Sequence, residues 1–268
     1  MAHKNKENNS PYKARQTKPP PVVATSLKGT HKRPEIIYSA HEANDRLADI
    51  FRNHDFECSH AVRMQLARFY ELLMKNQENQ NFTRLLKLRD VAIKHFIDCL
   101  IVKDLTHLQF PLLDVGTGPG FPGLPLKMAF PDQKILLAEG VQKRVAFLKV
   151  VREDLNLQNC DIIGRNINPY FEYPVNGVIT RAVEDIRNTL TNTLSCLQVG
   201  GRAYFMKGPG VDPEIKMALE HFDGVFKLVQ DTHYFLPKTQ NERRLVVFEK
   251  IKVTPLPMDE DNDILLED

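Results

Sequence analysis

Apolar positions follow two different spacings along the chain, and the change from one to the other divides it into two parts. Between residues 38 and 108, apolar side chains recur every three or four positions, which is the spacing of amphipathic helices. A short polar residue precedes each of three such stretches: Ser39, Ser59 and Asp90. The two serines are suited to cap a helix, and the third helix is expected over residues 91–101. We therefore predict an N-terminal cap of three helices.

From residue 109 onward, short apolar runs alternate with stretches of helical spacing. The runs predict strands near residues 110–115, 134–139, 159–163, 176–180, 201–206, 225–234 and 243–250, and the helical stretches lie near 123–130, 141–155, 184–197 and 212–221. Alternation of this kind is typical of an α/β fold with a doubly wound, mostly parallel sheet. No helical stretch separates the last two strands, so we expect them to pair as an antiparallel C-terminal hairpin.

The two ends of the chain differ from the rest in composition and carry opposite charges. Residues 1–34 contain eight lysines and arginines against one acid, a net charge of +7, and residues 251–268 contain one lysine against six acids, a net charge of −5. Such polar segments rarely build a core. We therefore divide the chain into a disordered basic arm over residues 1–37, the helical cap over 38–108, the α/β domain over 109–250 and a disordered acidic tail over 251–268. The arm either contacts RNA phosphates or is only a solvated leader.

Cysteine usage and hydropathy indicate the cellular compartment in which the protein is expected. The four cysteines, Cys58, Cys99, Cys160 and Cys196, are widely separated and have no metal-binding spacing, so we expect reduced core thiols and no metal site. No apolar stretch is long enough to cross a bilayer, and the basic N-terminus lacks the apolar region of a secretory signal. We therefore expect a cytoplasmic protein without a membrane partner. We also expect a monomer, because the sequence indicates no large exposed apolar stripe.

The strongest chemical signal lies where the first strand ends. Four glycines, at positions 116, 118, 120 and 123, follow the apolar run. Glycine has no Cβ and reaches positive φ at little cost, so this loop can turn sharply and let a ligand come close. A helix starts directly after the loop, and the free N–H groups of a helix N-terminus favour an anionic ligand group. The pattern predicts a nucleotide-like cofactor.

Two cofactors fit the loop, a dinucleotide and S-adenosylmethionine. Both want the acid Glu139, which ends the next apolar run and would accept hydrogen bonds from ribose hydroxyls. S-adenosylmethionine is favoured by Asp114, which stands two residues before the first glycine, where it is placed to order the loop or to receive the methionine amine. It is also favoured by three prolines, at 119, 122 and 125, because a pyrophosphate site needs the N–H groups that proline lacks. A nicotinamide-dependent oxidoreductase is the less favoured alternative, also because we see no second domain for a hydride-accepting substrate.

The segment from Asp114 to Leu126 closely resembles the glycine- and proline-rich signature of the RsmG (GidB) family, the bacterial 16S rRNA guanine-N7 methyltransferases. Further motifs resemble that family in the same order along the chain: Asn81–Thr83, Lys94–Asp98, Lys143–Leu148, Val178–Ala182, Met206–Gly208 and Glu242–Phe248. The similarity extends over roughly residues 65 to 250. It implies a Rossmann-like class I methyltransferase domain over residues 109–250, S-adenosylmethionine as the cofactor, and rRNA of the small ribosomal subunit as the substrate.

The resemblance also implies which residues contact the cofactor: Asp114, Gly116, Gly118, Gly120, Phe121, Glu139, Asn166, Ile167 and Arg181. One departure from the family lies in Arg165–Asn168, where the family has an acidic pair. No carboxylate is available there, so contacts at Asn166 and Ile167 would be made by the backbone. This departure keeps a third hypothesis open, a catalytically weak or inactive ribosome-binding or assembly factor on the same fold.

Methylation of guanine N7 requires no general base, because N7 already carries a lone pair. The rate should come from aligning N7, the methyl carbon and the sulfur. The methylated base is cationic, so hydrogen-bond acceptors on its N1 and N2 edge would stabilise the developing charge. Glu184 and Asp185, just beyond Arg181, are the candidate acceptors, whereas Arg181 itself is assigned to orienting the cofactor or a phosphate.

Basic residues near the strand ends are candidates for RNA contact: Lys143, Arg144, Lys207, Arg243 and Arg244. Strand alternation sends adjacent side chains to opposite faces, so one of the last two arginines should pair within the fold and the other should reach the RNA. Guanine N7 lies in the major groove, which is deep and narrow in A-form RNA, so the target guanine should lie in a loop. His95 is expected to pack the cap onto the sheet and to hydrogen-bond with Asp98, three residues on.

Overall fold

The computed structural model describes residues 33–181 and 184–253, without the side chains of residues 78–80. Most of the basic arm predicted over residues 1–37, and most of the acidic tail predicted over residues 251–268, lies outside the described residues. The described chain starts with an irregular segment and enters its first helix at Ala40.

Two capped helices, α1 (Ala40–Asn53) and α2 (His60–Gln80), come first. At the start of α1, the Ser39 hydroxyl accepts a hydrogen bond from the Glu42 amide at 3.3 Å, and the Glu42 carboxylate accepts one from the Ser39 amide at 3.1 Å. This reciprocal pair satisfies two amides at the helix start. Ser59 likewise caps α2 by accepting a hydrogen bond from a backbone amide at 3.3 Å, so both predicted caps are confirmed.

The third helix starts earlier than predicted and is not a regular α-helix. It runs through α3 (Leu88–Val91), a π-helical segment (Ala92–Ile97) and α4 (Asp98–Leu100), and α5 (Val102–Leu105) follows. The prediction that Asp90 stands before the helix is therefore wrong. Asp90 lies in the first turn, where a negative charge interacts favourably with the free N–H groups. π-Helical turns are rare and often mark functional sites, and this one carries Lys94 and His95.

Seven strands form one sheet in the order β3-β2-β1-β4-β5-β7-β6. The strands are β1 (Leu112–Val115), β2 (Ile135–Ala138), β3 (Cys160–Ile163), β4 (Val175–Arg181), β5 (Leu197–Lys207), β6 (Phe226–Phe235) and β7 (Glu242–Lys250). Four helices alternate with them: α6 (Gly123–Ala129), α7 (Gln142–Asp154), α8 (Ile186–Asn192) and α9 (Asp212–His221). Strands β1 to β5 pair in parallel, and β7 lies antiparallel between β5 and β6. The predicted doubly wound sheet with an antiparallel C-terminal hairpin is confirmed.

One connection differs from its prediction. Helix α8 ends at Asn192 and strand β5 begins at Leu197, whereas the sequence pattern extends the helix to residue 197 and starts the strand at 201. Leu197 pairs with Val175 across an irregularity in the β4–β5 ladder. Pairing with a distant strand therefore sets this boundary, and the local apolar spacing does not reveal it.

Strand β1 lies at the point where the strand order reverses, with β2 on one side and β4 on the other. Ligands of doubly wound sheets bind outside the carboxyl ends of the strands at such a point. The register aligns Val115, the last residue of β1, with Ala138, the last residue of β2. The glycine loop, Glu139 and Arg181 therefore emerge at the same edge of the sheet.

The helical cap packs on one face of the sheet and shares a core with it. Buried residues of α1, α2 and the π-helical segment belong to the same hydrophobic cluster as residues of β1, α6 and α7. The ring of Phe69 on α2, for example, lies 5.2 Å from that of Phe121 in the glycine loop and 6.3 Å from that of Phe147 on α7. Helices α8 and α9 pack on the opposite face. The cap is therefore one wall of any site at this edge.

Among the helices that the structure describes, none is long and apolar enough to cross a membrane. Within the same residues, histidine, cysteine and acidic side chains form no group of three that would hold a metal ion. All four cysteines are free thiols. Burial raises the pKa of Cys58 and of Cys160 to about 11, so these thiols stay protonated at neutral pH.

Candidate active site

The loop after β1 adopts backbone conformations that suit glycine. Gly116 and Gly118 have φ angles of 68° and 60°, in the left-handed region. A Cβ on Gly118 would meet no atom within 4 Å, so the loop has open space on that side. The Gly118 amide donates a hydrogen bond to Oε2 of Glu139 at 3.0 Å. The loop is thus fixed at its centre while one face remains free to take a ligand.

Asp114 is fully buried beside this loop. Its Oδ2 atom accepts hydrogen bonds from the Thr117 hydroxyl at 2.5 Å and from the Gly123 amide at 2.7 Å. Its Oδ1 atom has no hydrogen-bond partner among the described residues. Burial raises the pKa of this carboxyl to about 7, although the two hydrogen bonds act in the opposite direction. Asp114 thus orders the loop with one oxygen and leaves the other for a ligand.

Glu139 directly follows β2 and faces the loop from the other side. Its Oε1 atom accepts a hydrogen bond from the Val141 amide at 2.8 Å, and its Oε2 atom accepts the one from Gly118. The guanidinium of Arg144, on α7, lies 3.5 Å from the same Oε2 atom. Glu139 is therefore a charged acceptor at the carboxyl end of β2, the position from which the ribose hydroxyls of a nucleotide are bound.

The loop and its two acids fit S-adenosylmethionine. The unpartnered Oδ1 atom of Asp114 can accept the ammonium group of the cofactor, and the carboxylate of Glu139 can accept its ribose hydroxyls. The open space beside Gly118 leaves room for a ligand at the loop that both acids contact. When bound, this cofactor supplies an electrophilic methyl group on a sulfonium.

A cavity of about 480 Å³ opens beside the glycine loop, and we call it the central pocket. Its other walls come from the π-helical segment and from the ends of β4, β5 and β7. Apolar side chains line part of it: Phe82, Leu85, Phe121 and Met206. Polar and charged side chains also line it: Lys94, His95, Asp98, Arg181, Lys207 and Arg243. A concave site with a few convergent polar groups on an apolar wall suits a flat, polar ligand such as a nucleobase.

Arg181 ends β4 at the central pocket and is held from several sides. Its guanidinium donates hydrogen bonds to Oδ2 of Asp98 and to the Lys94 carbonyl, each at 3.2 Å. A further hydrogen bond runs to Nδ1 of His95 at 3.0 Å. The guanidinium also lies 5.2 Å from the centre of the Phe121 ring, within the range of a cation–π contact. Arg181 is thus a fixed positive charge whose position depends on the helical cap.

The contacts of His95 determine which ring nitrogen carries its proton. A guanidinium can only donate, so Nδ1, which faces Arg181, is an acceptor and Nε2 carries the proton. Nε2 then donates to the Thr83 hydroxyl at 2.9 Å. Burial and the nearby Arg181 lower the pKa of His95 to about 3, so the ring is neutral at physiological pH. In the described structure, the expected hydrogen bond between His95 and Asp98 is absent, because both side chains turn toward Arg181.

Asp98 joins two arginines that lie far apart in the sequence. Its Oδ2 atom accepts from Arg181 at 3.2 Å, and its Oδ1 atom accepts from Nε of Arg243 at 3.1 Å. The side chain is only 5% exposed, so the two guanidiniums neutralise a buried carboxylate. Sequence reasoning missed this role, and the only signal for it was the position of Asp98 in a motif shared with the family.

The two adjacent arginines of β7 point in different directions, as alternation requires. Arg243 lines the central pocket and binds Asp98. Arg244 donates two hydrogen bonds to the Asp231 carboxylate, each at 2.6 Å, and lies 2.6 Å from Asp212. Its side chain is 7% exposed. Arg244 is therefore the arginine that pairs within the fold, and of these two arginines only Arg243 keeps the prediction of RNA contact.

The three basic residues predicted to contact RNA outside β7 have different surroundings. Lys207 donates to the Glu184 carbonyl at 2.7 Å and pairs with Glu214 at 2.9 Å, so it stabilises the fold at the edge of the pocket. Lys143 is exposed near the start of α7. Arg144, the next residue, lies beside Glu139. RNA contact by Lys143 and Arg144 stays a prediction.

The candidate acceptors for the guanine edge lie outside the lining of the central pocket. Asp185 caps α8 by accepting a hydrogen bond from the Asn188 amide at 2.8 Å. Glu184 is exposed, and its carboxylate accepts a hydrogen bond from the Asn192 side chain at 3.1 Å. The carboxylate that does line the pocket is Asp98.

Asn166 and Ile167 follow β3, on the Glu139 side of the loop. Asn166 is exposed, and its side-chain oxygen lies so close to Gly140 that a Cβ there would collide with it. Ile167 is buried in the hydrophobic cluster on the face of the sheet opposite the cap. Glycine at position 140 therefore accommodates Asn166. Contact between these two residues and the cofactor remains a prediction.

Comparison with known proteins identifies relatives of this chain. A family model described as "GidB: rRNA small subunit methyltransferase G" matches residues 63–246. Ribosomal RNA small subunit methyltransferase G 2 of Bdellovibrio bacteriovorus is 66% identical over 241 residues, which cover 90% of this chain and 94% of the relative. The protein of the same name from Syntrophobacter fumaroxidans is 43% identical over 207 residues, which cover 77% of this chain and 42% of that relative. The crystal structure of TrmN from Thermus thermophilus is 16% identical, with a TM-score of 0.45, over 60% of this chain and 53% of that one.

The matched region contains the parts from which the site is built. It includes the glycine loop, Glu139, the π-helical segment with Asp98, and the arginines at the ends of β4 and β7. It spans more than half of the chain, and the Bdellovibrio relative extends the likeness to nine-tenths of it, as its 90% coverage indicates. The chain therefore belongs to the GidB family, the rRNA small subunit methyltransferase G proteins.

Proposed function

We propose that this protein transfers a methyl group from S-adenosylmethionine to N7 of a guanine in a loop of the 16S rRNA of the small ribosomal subunit. The central pocket carries the proposal. One of its walls is the glycine loop beside Asp114, and another is the network of Asp98 and Arg181. A methyl donor held at the first wall would meet a polar acceptor held at the second. Membership of the GidB family supports this assignment.

The imidazole of the pocket supports a reaction without a general base. Both nitrogens of His95 are engaged within the fold, and its pKa, lowered to about 3, keeps it uncharged. Guanine N7 needs no deprotonation, so the chain must only align the reactants and exclude water. The apolar wall formed by Phe82, Leu85 and Met206 is suited to exclude water.

We assign the remaining site residues on the family resemblance. Asp114 and Glu139 bind the ends of the cofactor, and Gly116, Gly118, Gly120, Phe121, Asn166 and Ile167 contact it. The open space beside Gly118 supports its part in this assignment, whereas the space beside Gly120 is filled by the Leu124 side chain. Arg181 orients the cofactor or a phosphate. Neither candidate acceptor for the guanine edge lines the central pocket. Of the two we retain Glu184, because Asp185 caps α8.

The proposed partner is RNA, and the proposed cellular location is that of the ribosomal subunits. Arg243 at the pocket, with Lys143 and Arg144 on α7, contacts phosphates around the target guanine. The protein acts in the cytoplasm, where small subunits are found, and it works as a monomer.

Methyl transfer to authentic small subunits tests the proposal. Subunits from a strain without this activity are incubated with the protein and methyl-labelled S-adenosylmethionine, and the labelled position is mapped by strand scission at N7-methylated guanines. Label is expected in 16S rRNA at one guanine, and the Asp114→Asn variant is expected to transfer far less. Calorimetry with S-adenosylmethionine and with NAD runs in parallel.

Two outcomes would contradict the proposal. Binding of NAD but not of S-adenosylmethionine would favour the oxidoreductase. Binding of S-adenosylmethionine and of small subunits without any transfer would favour a ribosome-binding factor that has lost catalysis.

A further inference from the structure

A second cavity, of about 690 Å³, takes part of its lining from the same chain segment as the central pocket, and we call it the cap groove. That segment lies before and within α3. Phe82 and Leu85 line the central pocket, and the next four residues, Leu86–Arg89, line the cap groove. The opposite wall of the groove comes from the segment before α1 and from α1 itself. The two cavities are therefore linked by consecutive residues, since Leu85 lines the first and Leu86 lines the second.

The lining of the cap groove combines positive charge with an aromatic and apolar floor. Four cations line it: Arg33, Arg46, Lys87 and Arg89. Two acids, Glu35 and Asp49, leave a net charge of +2, and Asp49 already pairs with Arg52 at 2.9 Å. Tyr38 and several aliphatic side chains complete the lining, with the Arg46 guanidinium 4.2 Å from the centre of the Tyr38 ring.

Two of these cations differ from the arginines of the central pocket. Arg181 and Arg243 each bind the buried carboxylate of Asp98, so their charges serve the fold as well as the site. Lys87 and Arg89 are exposed, and neither forms an ion pair with any residue that the structure describes. Within the described residues, their positive charge is therefore not held in an ion pair.

We propose that the cap groove binds the RNA strand next to the target guanine, with Lys87 and Arg89 on its phosphates and Tyr38 beside an unpaired base. Grooves that bind single-stranded nucleic acid combine positive charge, which contacts the phosphates, with aromatic side chains on which bases stack. The inference rests on the proposed function, because it assigns the cap groove to the same RNA whose guanine enters the central pocket. It also predicts a loop substrate, since a base inside a duplex has no free face for Tyr38.

Most of this surface lies outside the region that the family model matches, since seven of its eleven lining residues precede residue 63. The family model matches residues 63–246, whereas Arg33, Tyr38, Arg46 and Asp49 precede it. In the sequence, Arg33 belongs to the basic segment of residues 1–34, whose net charge is +7. A segment with this composition attracts polyanions such as RNA.

The salt dependence of RNA binding tests the groove. The variant Lys87→Gln with Arg89→Gln is compared with the matched control Lys149→Gln with Arg152→Gln, a lysine and an arginine near the end of α7 that line neither cavity. Binding of 16S rRNA is measured by filter retention over a range of KCl concentrations. Each phosphate contact contributes a slope of about 0.7 to 0.9 to the plot of log K against log [KCl]. We expect the groove variant to lose about 1.4 to 1.8 from the slope, and the control to keep the slope of the original protein.

Methyl transfer gives a second measurement. With small subunits as substrate, the groove variant should show a KM raised roughly tenfold at low salt, with kcat at saturating subunits and the affinity for S-adenosylmethionine unchanged. A slope and a KM equal to those of the control would overturn the proposal. A changed slope in a protein that transfers no methyl group would leave the groove standing and overturn the proposed function instead.

Discussion

Arg181 donates a hydrogen bond to Nδ1 of His95 at 3.0 Å, and this one contact fixes the tautomer of a buried histidine. Through Nε2, the imidazole is itself held by Thr83, in the segment before α3. An arginine at the end of β4 is therefore positioned by the π-helical segment of the cap, because its partner His95 lies there, 86 residues earlier in the sequence.

Replacement of His95 by Phe should separate its hydrogen bonds from its packing. Phenylalanine keeps an aromatic ring against Phe121, 4.3 Å away in the original protein, but it cannot accept from Arg181. Hydrogen bonds to charged groups are worth about 1.5–3 kcal/mol, so we expect kcat/KM for small subunits to fall about tenfold to a hundredfold. Steady-state kinetics and thermal denaturation measure the two effects. An unchanged kcat/KM in a folded His95→Phe protein would show that Arg181 needs no such support.

The free energy of unfolding should fall in acid because of His95. Its folded-state pKa, about 3, lies below the ordinary value of 6.5, because burial and Arg181 disfavour the imidazolium. The unfolded chain therefore takes up a proton below pH 6.5 that the native state refuses, so the stability from neutral His95 is present above pH 6.5 and is lost as the pH falls toward 3. The loss approaches about 1.4 kcal/mol per pH unit. Urea denaturation across this range should give a shallower pH dependence for His95→Phe than for the original protein.

Cofactor affinity should depend on pH through Asp114. Burial raises the pKa of this carboxyl to about 7, so in the free protein it is protonated below neutrality and cannot attract an ammonium group. We expect the Kd for S-adenosylmethionine to weaken about tenfold for each pH unit below 7. Calorimetry between pH 5.5 and about 7.5 measures this dependence. This range lies below the usual pKa of an α-amino group, so the ammonium group of the cofactor stays protonated throughout. The Asp114→Asn variant should bind weakly at every pH, and a flat profile for the original protein would contradict the assignment.

Two glycines of the loop should respond differently to alanine. At Gly118 the added Cβ meets open space, and the left-handed φ of 60° costs about 1–2 kcal/mol, so the protein should fold while the methyl group intrudes on the cofactor. At Gly123 the Cβ would lie 2.6 Å from Oδ2 of Asp114 and against the Leu137 side chain, so the fold itself should suffer. Thermal denaturation and calorimetry are expected to show lost affinity at near-normal Tm for Gly118→Ala. A large drop in Tm is expected for Gly123→Ala.

Adjacent arginines in β7 provide a matched pair for separating function from stability. Arg243→Ala removes a cation from the central pocket and should lower kcat/KM for small subunits, with some loss of stability because Asp98 keeps only Arg181 as its partner. Arg244→Ala removes two hydrogen bonds to Asp231 and should lower the free energy of unfolding by about 1.5–3 kcal/mol, with little change in kcat/KM. Steady-state kinetics and urea denaturation on both variants measure these effects. A larger loss of kcat/KM in Arg244→Ala than in Arg243→Ala would contradict the geometry.

Local pattern was sufficient for the parallel part of the sheet, because strands β1 and β2, for example, are short apolar runs bounded by polar residues. The five parallel strands and the hairpin follow from that alternation. It was insufficient for the start of β5, where Leu197 joins a ladder with the distant Val175. It was also insufficient for the π-helical turn over Ala92–Ile97, because tertiary packing, which adjacent residues do not encode, selects such a turn.

The candidate site divides in the same way. Asp114 and Glu139 were predictable because each stands directly at a strand end beside the glycine loop, where position alone implies a role. The link between Asp98 and both Arg181 and Arg243 was not predictable, because it joins the cap, β4 and β7 across 83 and 145 residues of sequence. A single sequence shows each of these residues but not their meeting point.

The packing of Phe121 shows that the α/β domain depends on the helical cap. Its ring is packed by Phe69 and by Phe96, both from the amino-terminal helices. A fragment trimmed to residues 109–250 would expose that ring to water and would leave two guanidiniums without Asp98 as their counterion. The enzyme therefore has no portable catalytic module to graft or shorten. A substitution that loosens the amino-terminal helices should therefore lower the rate of methyl transfer, even when it lies far from the glycine loop.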